Sequence, residues 1–258
     1  MRLMKRILSA AAVLALSASL LVGCSSGTAS SVPVSASSAA ESTVSSVEET
    51  ASSAVDENAA AAAQLLNDLT GGYQELWPVI LADEYKQTWL DVCTALVGEE
   101  NAEAAFEKLS SMVTSDVYGE DAVEAYANGG GAYFCGFTNS LATLTFDGET
   151  STISGTDKDG NVLFSHTYHY IGMEPVHGLY EFESDDADSG EFTYFFLAPD
   201  TSAETYHIEF RYGSDAEALS QYDAGEYAYW VASGISTDCD QTMIDNCIEL
   251  FCTENLAG

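Results

Sequence analysis

Nitrogen donors are scarce in this chain of 258 residues, whose four histidines are His166, His169, His177 and His207. His207 and Glu209 stand two apart in a segment that reads as a strand. Both side chains therefore fall on one face, where an imidazole and a carboxylate can share a cation or a hydrogen bond. His166 and His169 stand three apart on another predicted strand, point to opposite faces and cannot ligate one ion together. His177 follows Pro175 in a loop and is expected at the surface. Oxygen donors are abundant, but the acidic run from Ser184 to Glu191 lacks the ligand spacing of an EF-hand and reads as a solvated hairpin loop. No GxSxG, HExxH, Walker A or GxGxxG stretch occurs, and carboxylates are too frequent to specify an acid–base pair. A binding role is expected, and an enzyme is not.

These side chains must be positioned by a domain that changes character halfway along. Ala59–Leu66 is Ala-rich and helical by propensity, with a break at Thr70-Gly71-Gly72. Tyr85, Trp89, Val92, Cys93 and Leu96 repeat at the helical period within a helix expected from Ala82 to Val97, with Gly98 as its stop. Ala105, Phe106, Leu109, Met112 and Val113 mark a third helix, and Ala122–Ala127 a short fourth before Gly129-Gly130-Gly131. The pattern then turns to period two. Six strands are predicted: Leu141–Phe146, Thr150–Gly155, Val162–Ile171, Leu179–Ser184, Phe192–Leu197 and Tyr206–Tyr212. Close spacing of this kind suggests an antiparallel meander that curls into a barrel. Asp215–Tyr222 reads as a short helix, Tyr227–Val231 as an extended segment, and a last helix is expected to be capped by Asp238 with Gln241. The fold class is thus α+β, mainly β.

The first six residues are basic and Ile7–Leu20 is apolar, the n-region and h-region of a secretory signal. The run is too short for a transmembrane helix, which needs about 20 apolar residues. It ends in Leu21-Val22-Gly23-Cys24, which resembles the bacterial lipobox, and this implies cleavage after residue 23 and a diacylglycerol on Cys24. Residues 24–58 are rich in Ser and Ala without an aromatic side chain and read as a flexible spacer. Residues 59–258 form the expected folded domain. The chain is therefore expected on the extracytoplasmic face of a cell membrane, attached through its lipid alone.

Beyond Cys24 the chain carries 41 acidic residues against Lys86, Lys108, Lys158 and Arg211, a net charge of −37. This disfavours nucleic acid and anionic lipid surfaces as partners and favours solubility and the attraction of cations. Five cysteines remain, Cys93, Cys135, Cys239, Cys247 and Cys252. Their odd number and lack of CxxC spacing suit small buried hydrophobes, with one disulfide left open.

Three stretches stand out: Leu66-Asn67-Asp68-Leu69-Thr70-Gly71-Gly72-Tyr73-Gln74-Glu75-Leu76-Trp77-Pro78, Leu179-Tyr180-Glu181-Phe182-Glu183, and Phe195-Phe196-Leu197-Ala198-Pro199 with Tyr206-His207-Ile208. They are similar to motifs of the ZinT (YodA) family of zinc-binding proteins, and this resemblance implies a lipocalin/calycin-like antiparallel barrel with N-terminal helices and a C-terminal helix. The resemblance implies extracytoplasmic binding of zinc, or another divalent metal, and its delivery to the solute-binding protein of an ABC importer. It also implies three imidazole ligands at the barrel mouth, and here the corresponding residues are Phe195, Thr205 and His207. His207 alone is retained, with Glu204 and Glu209 as further candidates for a His-plus-carboxylate site of weaker affinity. The alternative is a barrel that has lost its metal and recognises a small apolar ligand or a surface protein through its Tyr- and Phe-rich mouth.

Overall fold

The computed structural model describes residues 57–128, 131–199 and 207–256. The expected signal sequence, most of the expected spacer, Cys24, Glu204 and Thr205 lie outside the described residues. None of the described helices is long and apolar enough to cross a membrane.

A helix over 57–68, α1, leads into β1 (Gly71–Glu75) and the short α2 (Leu76–Ile80). Three further helices follow: α3 (Lys86–Val97), α4 (Glu99–Ser111) and α5 (Glu120–Ala127). Gly98 separates α3 from α4 at φ +86°, a left-handed conformation that a side chain would strain. Six strands come next: β2 (Thr143–Asp147), β3 (Thr152–Thr156), β4 (Val162–Met173), β5 (Tyr180–Ser184), β6 (Tyr194–Leu197) and β7 (His207–Gly213). A single helical turn, α6 (Ala216–Leu219), precedes β8 (Ala232–Ser236) and the terminal helix α7 (Gln241–Leu256).

The strands join in chain order into a closed antiparallel barrel, with β1 paired to both β2 and β8. The six expected strands are present with shifted ends. The two strands that close the barrel were not expected. β1 falls where Gly71-Gly72 reads as a helix break, and β8 (Ala-Ser-Gly-Ile-Ser) has small residues in place of alternation, because both of its faces are covered. At Gly234 an added Cβ would lie 3.1 Å from Ile208 Cγ1. The terminal helix is capped by Asp240, which accepts the Met243 N–H at 2.9 Å, and not by Asp238.

Register identifies the inside, since residues paired across antiparallel strands share a face. Tyr73, Leu144, Phe164, Phe182, Phe195, Ile208, Phe210 and Tyr212 fall on one continuous buried face. Alternate residues such as Thr145, Ser165 and Thr167 are exposed, so that face is the interior. Packed rings fill it: Phe195 lies 5.3 Å from Tyr212 and 5.4 Å from Tyr168, and Phe164 lies 4.0 Å from Phe192. One end is plugged by the segment after α5. There the Tyr212 hydroxyl accepts the Thr138 N–H at 2.6 Å and donates to the Thr138 carbonyl at 2.9 Å, and Glu75 accepts the Phe137 N–H at 2.6 Å.

Helices cover one outer flank. Trp89 on α3 donates its indole N–H to the Ile80 carbonyl at 2.7 Å and packs edge-on against Phe251 of α7, with ring centroids 5.9 Å apart.

Candidate functional site

Strand β7 carries the candidate donors, and both of its faces are buried. Ile208, Phe210 and Tyr212 point into the barrel, while His207, Glu209 and Arg211 occupy the outer face and are no more than 3% exposed. Glu209 pairs with Ser233 of β8, and burial, with the Glu209 charge adding to it, pushes the nearby Cys135 thiol well up. Burial drives the His207 imidazole down to about 3, so it is neutral at pH 7. His207 and Glu209 thus share a strand face, as their spacing requires.

Phe195 does not join them. It pairs with Tyr212, which puts it inside the barrel, whereas His207 lies outside. The expectation that positions 195 and 207 meet at the barrel mouth is therefore corrected by the β6–β7 register: a strand shows its neighbour only alternate residues on any one face. Among the described residues, no three of His, Cys, Asp and Glu gather to hold one ion. His166 and His169 do face opposite ways. His166 pairs with interior-facing Ile153, and His169 with Glu183 on the outer face; they bond to Asp186 at 2.8 Å and Asp185 at 2.7 Å.

His177 is a second correction, being 5% exposed and not a surface residue. The loop between β4 and β5 folds it onto Tyr222, with ring centroids 3.7 Å apart. Glu174, fully buried in the same loop, accepts N–H groups from Val176 at 2.8 Å and His177 at 2.6 Å. Arg211 reaches this cluster from β7, its guanidinium 4.2 Å over the Tyr222 ring, and donates to the carbonyls of Leu219, Gln221 and Tyr227. Sequence reasoning missed this constellation. The available signal was that Arg211 is the one arginine beyond Cys24 and sits in an alternating apolar strand.

The two depressed groups set a pH dependence. Burial by itself would raise Glu174, but hydrogen bonds from His177 and Val176 outweigh it and hold its carboxyl below the usual value. The unfolded chain takes up a proton on the histidine near pH 6.5, whereas folded His207 resists protonation until about 3. Unfolded protein binds more protons in that window, so stability falls as pH falls from 6.5, and Glu174 adds to the loss below about 4.5. The urea midpoint is expected to be lower at pH 4.5 than at pH 7.5, with much of the difference abolished in His207→Gln. Equal wild-type midpoints would contradict the assignment.

The architecture is a calycin-like closed eight-stranded barrel with N-terminal helices and a C-terminal helix. No protein-family model and no curated protein matches the chain. Among solved structures, it is similar to the Zn(II)-bound ZinT-like domain of Streptococcus pneumoniae AdcA. Identity is 16%, coverage is 71% of this chain and 89% of that one, and the TM-score is 0.45. It is also similar to Zn(II)-bound AdcA from the same organism, at 14% identity over 72% of this chain and 35% of that one, with a TM-score of 0.42. The chain thus spans about a third of AdcA.

Proposed function

We propose that this chain is a lipid-anchored extracytoplasmic protein that binds zinc or a similar divalent ion as cargo, with His207 as its nitrogen ligand. The observation that carries the reading is the pair His207 and Glu209, side by side on the outer face of β7 and both buried, with the imidazole in the neutral state that metals require. Two protein donors fall short of the three or four that strong zinc sites supply, so exchangeable binding suits them better than a structural site. Glu204 is the candidate for a further oxygen ligand. Handing the ion to the solute-binding protein of an ABC importer is the role that the family resemblance implies, and weak binding suits such transfer.

His207→Ala is expected to weaken Zn²⁺ binding at least about ten-fold in titration calorimetry, since loss of a nitrogen ligand costs on the order of 1.4 kcal/mol or more. Unchanged affinity would remove His207 from the site. A second reading, a metal-free binding module, is favoured by Phe195, which packs inside the barrel where the family resemblance implies a ligand. A cleft of about 180 Å³ lined by Glu75, Trp77, Pro78, Val113, Phe134 and Cys135 would then be the place for a small apolar ligand. Metal analysis of protein purified without chelator separates the two readings: one zinc per chain favours the first, and none favours the second.

A further inference from the structure

Among the described residues no disulfide joins the five cysteines, and two of them meet. Cys93 on α3 and Cys252 on α7 are both fully buried, with Sγ atoms 4.0 Å apart, although 159 residues separate them in sequence. Their juxtaposition is held by the packing next to it. Trp89, one turn before Cys93, packs on Phe251, the residue before Cys252, and Phe251 also meets Trp77 edge-on at 4.8 Å. Cys135 lies elsewhere, close to Glu209 and Ser233, so it does not compete for either partner.

We propose that Cys93 and Cys252 are a disulfide-forming pair that ties the terminal helix to the helical layer. The oxidant is a small or protein disulfide of the extracytoplasmic space, so formation in the cell rests on the export reading above. The thiolate of one cysteine attacks the oxidant's disulfide and releases one thiol. The second cysteine then attacks the mixed disulfide, forms the Sγ–Sγ bond and releases the other. Two cysteine thiols and one oxidant disulfide thus become one protein disulfide and two oxidant thiols, with both protons on the released thiols. Both sulfurs are shut away in the folded domain, so exchange runs while α7 is undocked. The pair must therefore find each other during folding.

The test is to refold the mature chain with glutathione disulfide, alkylate the remaining thiols in denaturant and map the peptides. The expected product links Cys93 to Cys252 and leaves Cys135, Cys239 and Cys247 alkylated. Adding reductant to the oxidised protein should lower its Tm by about 5 °C or more, because the bond closes a long loop in the unfolded chain. Cys93→Ala/Cys252→Ala should show no reductant dependence. A different linked pair, or five alkylated cysteines after oxidative refolding, would overturn the proposal, and the wild-type map decides this even if the variant does not fold. A pair that links in vitro but is reduced in protein taken from cells supports the pair and counts against the oxidising, extracytoplasmic placement.

Discussion

Arg211→Met is expected to destabilise the domain by about 3–5 kcal/mol in denaturant titration, a large fraction of the total stability of a typical domain. Arg211 is fully buried on the outer face of β7, and its guanidinium bonds the carbonyls of Leu219, Gln221 and Tyr227. Those carbonyls belong to α6 and the loop after it, so one side chain holds that connection against the barrel. Methionine fills similar volume but supplies no donor, and leaves three carbonyls without the partner that offset their desolvation. It also strips Glu174, buried nearby, of the cation that favours its charged form. Arg211→Lys should lose less, because it keeps the charge, yet one ammonium cannot reproduce the planar fork over Tyr222. A Met variant with an unchanged midpoint would show that the carbonyls find other donors.

Cys24→Ala is expected to move the protein from the membrane pellet to the soluble fraction almost completely. On the proposed reading the lipobox-like stretch yields a diacylated Cys24, and each buried methylene would contribute about 0.8 kcal/mol to membrane affinity. With a net charge of −37 beyond Cys24, anionic lipid headgroups repel the remaining chain, so no electrostatic attachment replaces the lipid. Fractionation of cells that express the variant, with and without a salt wash, provides the measurement. Retention in the pellet after the wash would mean that another membrane-bound partner holds the domain and that the anchor reading is wrong.

The sequence by itself determined the helical first half, the six strands from β2 to β7 and the barrel they imply, since each rests on a local period of apolar side chains. Alternation along β7 also placed His207 and Glu209 together, because two residues of rise return a side chain to the same face. Only the tertiary structure decided which face was inside. Strands β1 and β8 have glycines and small residues in place of a period, and they are strands because each pairs with neighbours far away in the chain. The same long-range pairing sent Phe195 inward and His207 outward, whereas aligned motifs put them side by side. His177 and Arg211 went unread for a related reason. A polar residue in a loop or strand reads as solvated until another segment folds over it, and here the β4–β5 loop and residues 219–227 together bury Arg211, Glu174, His177 and Tyr222.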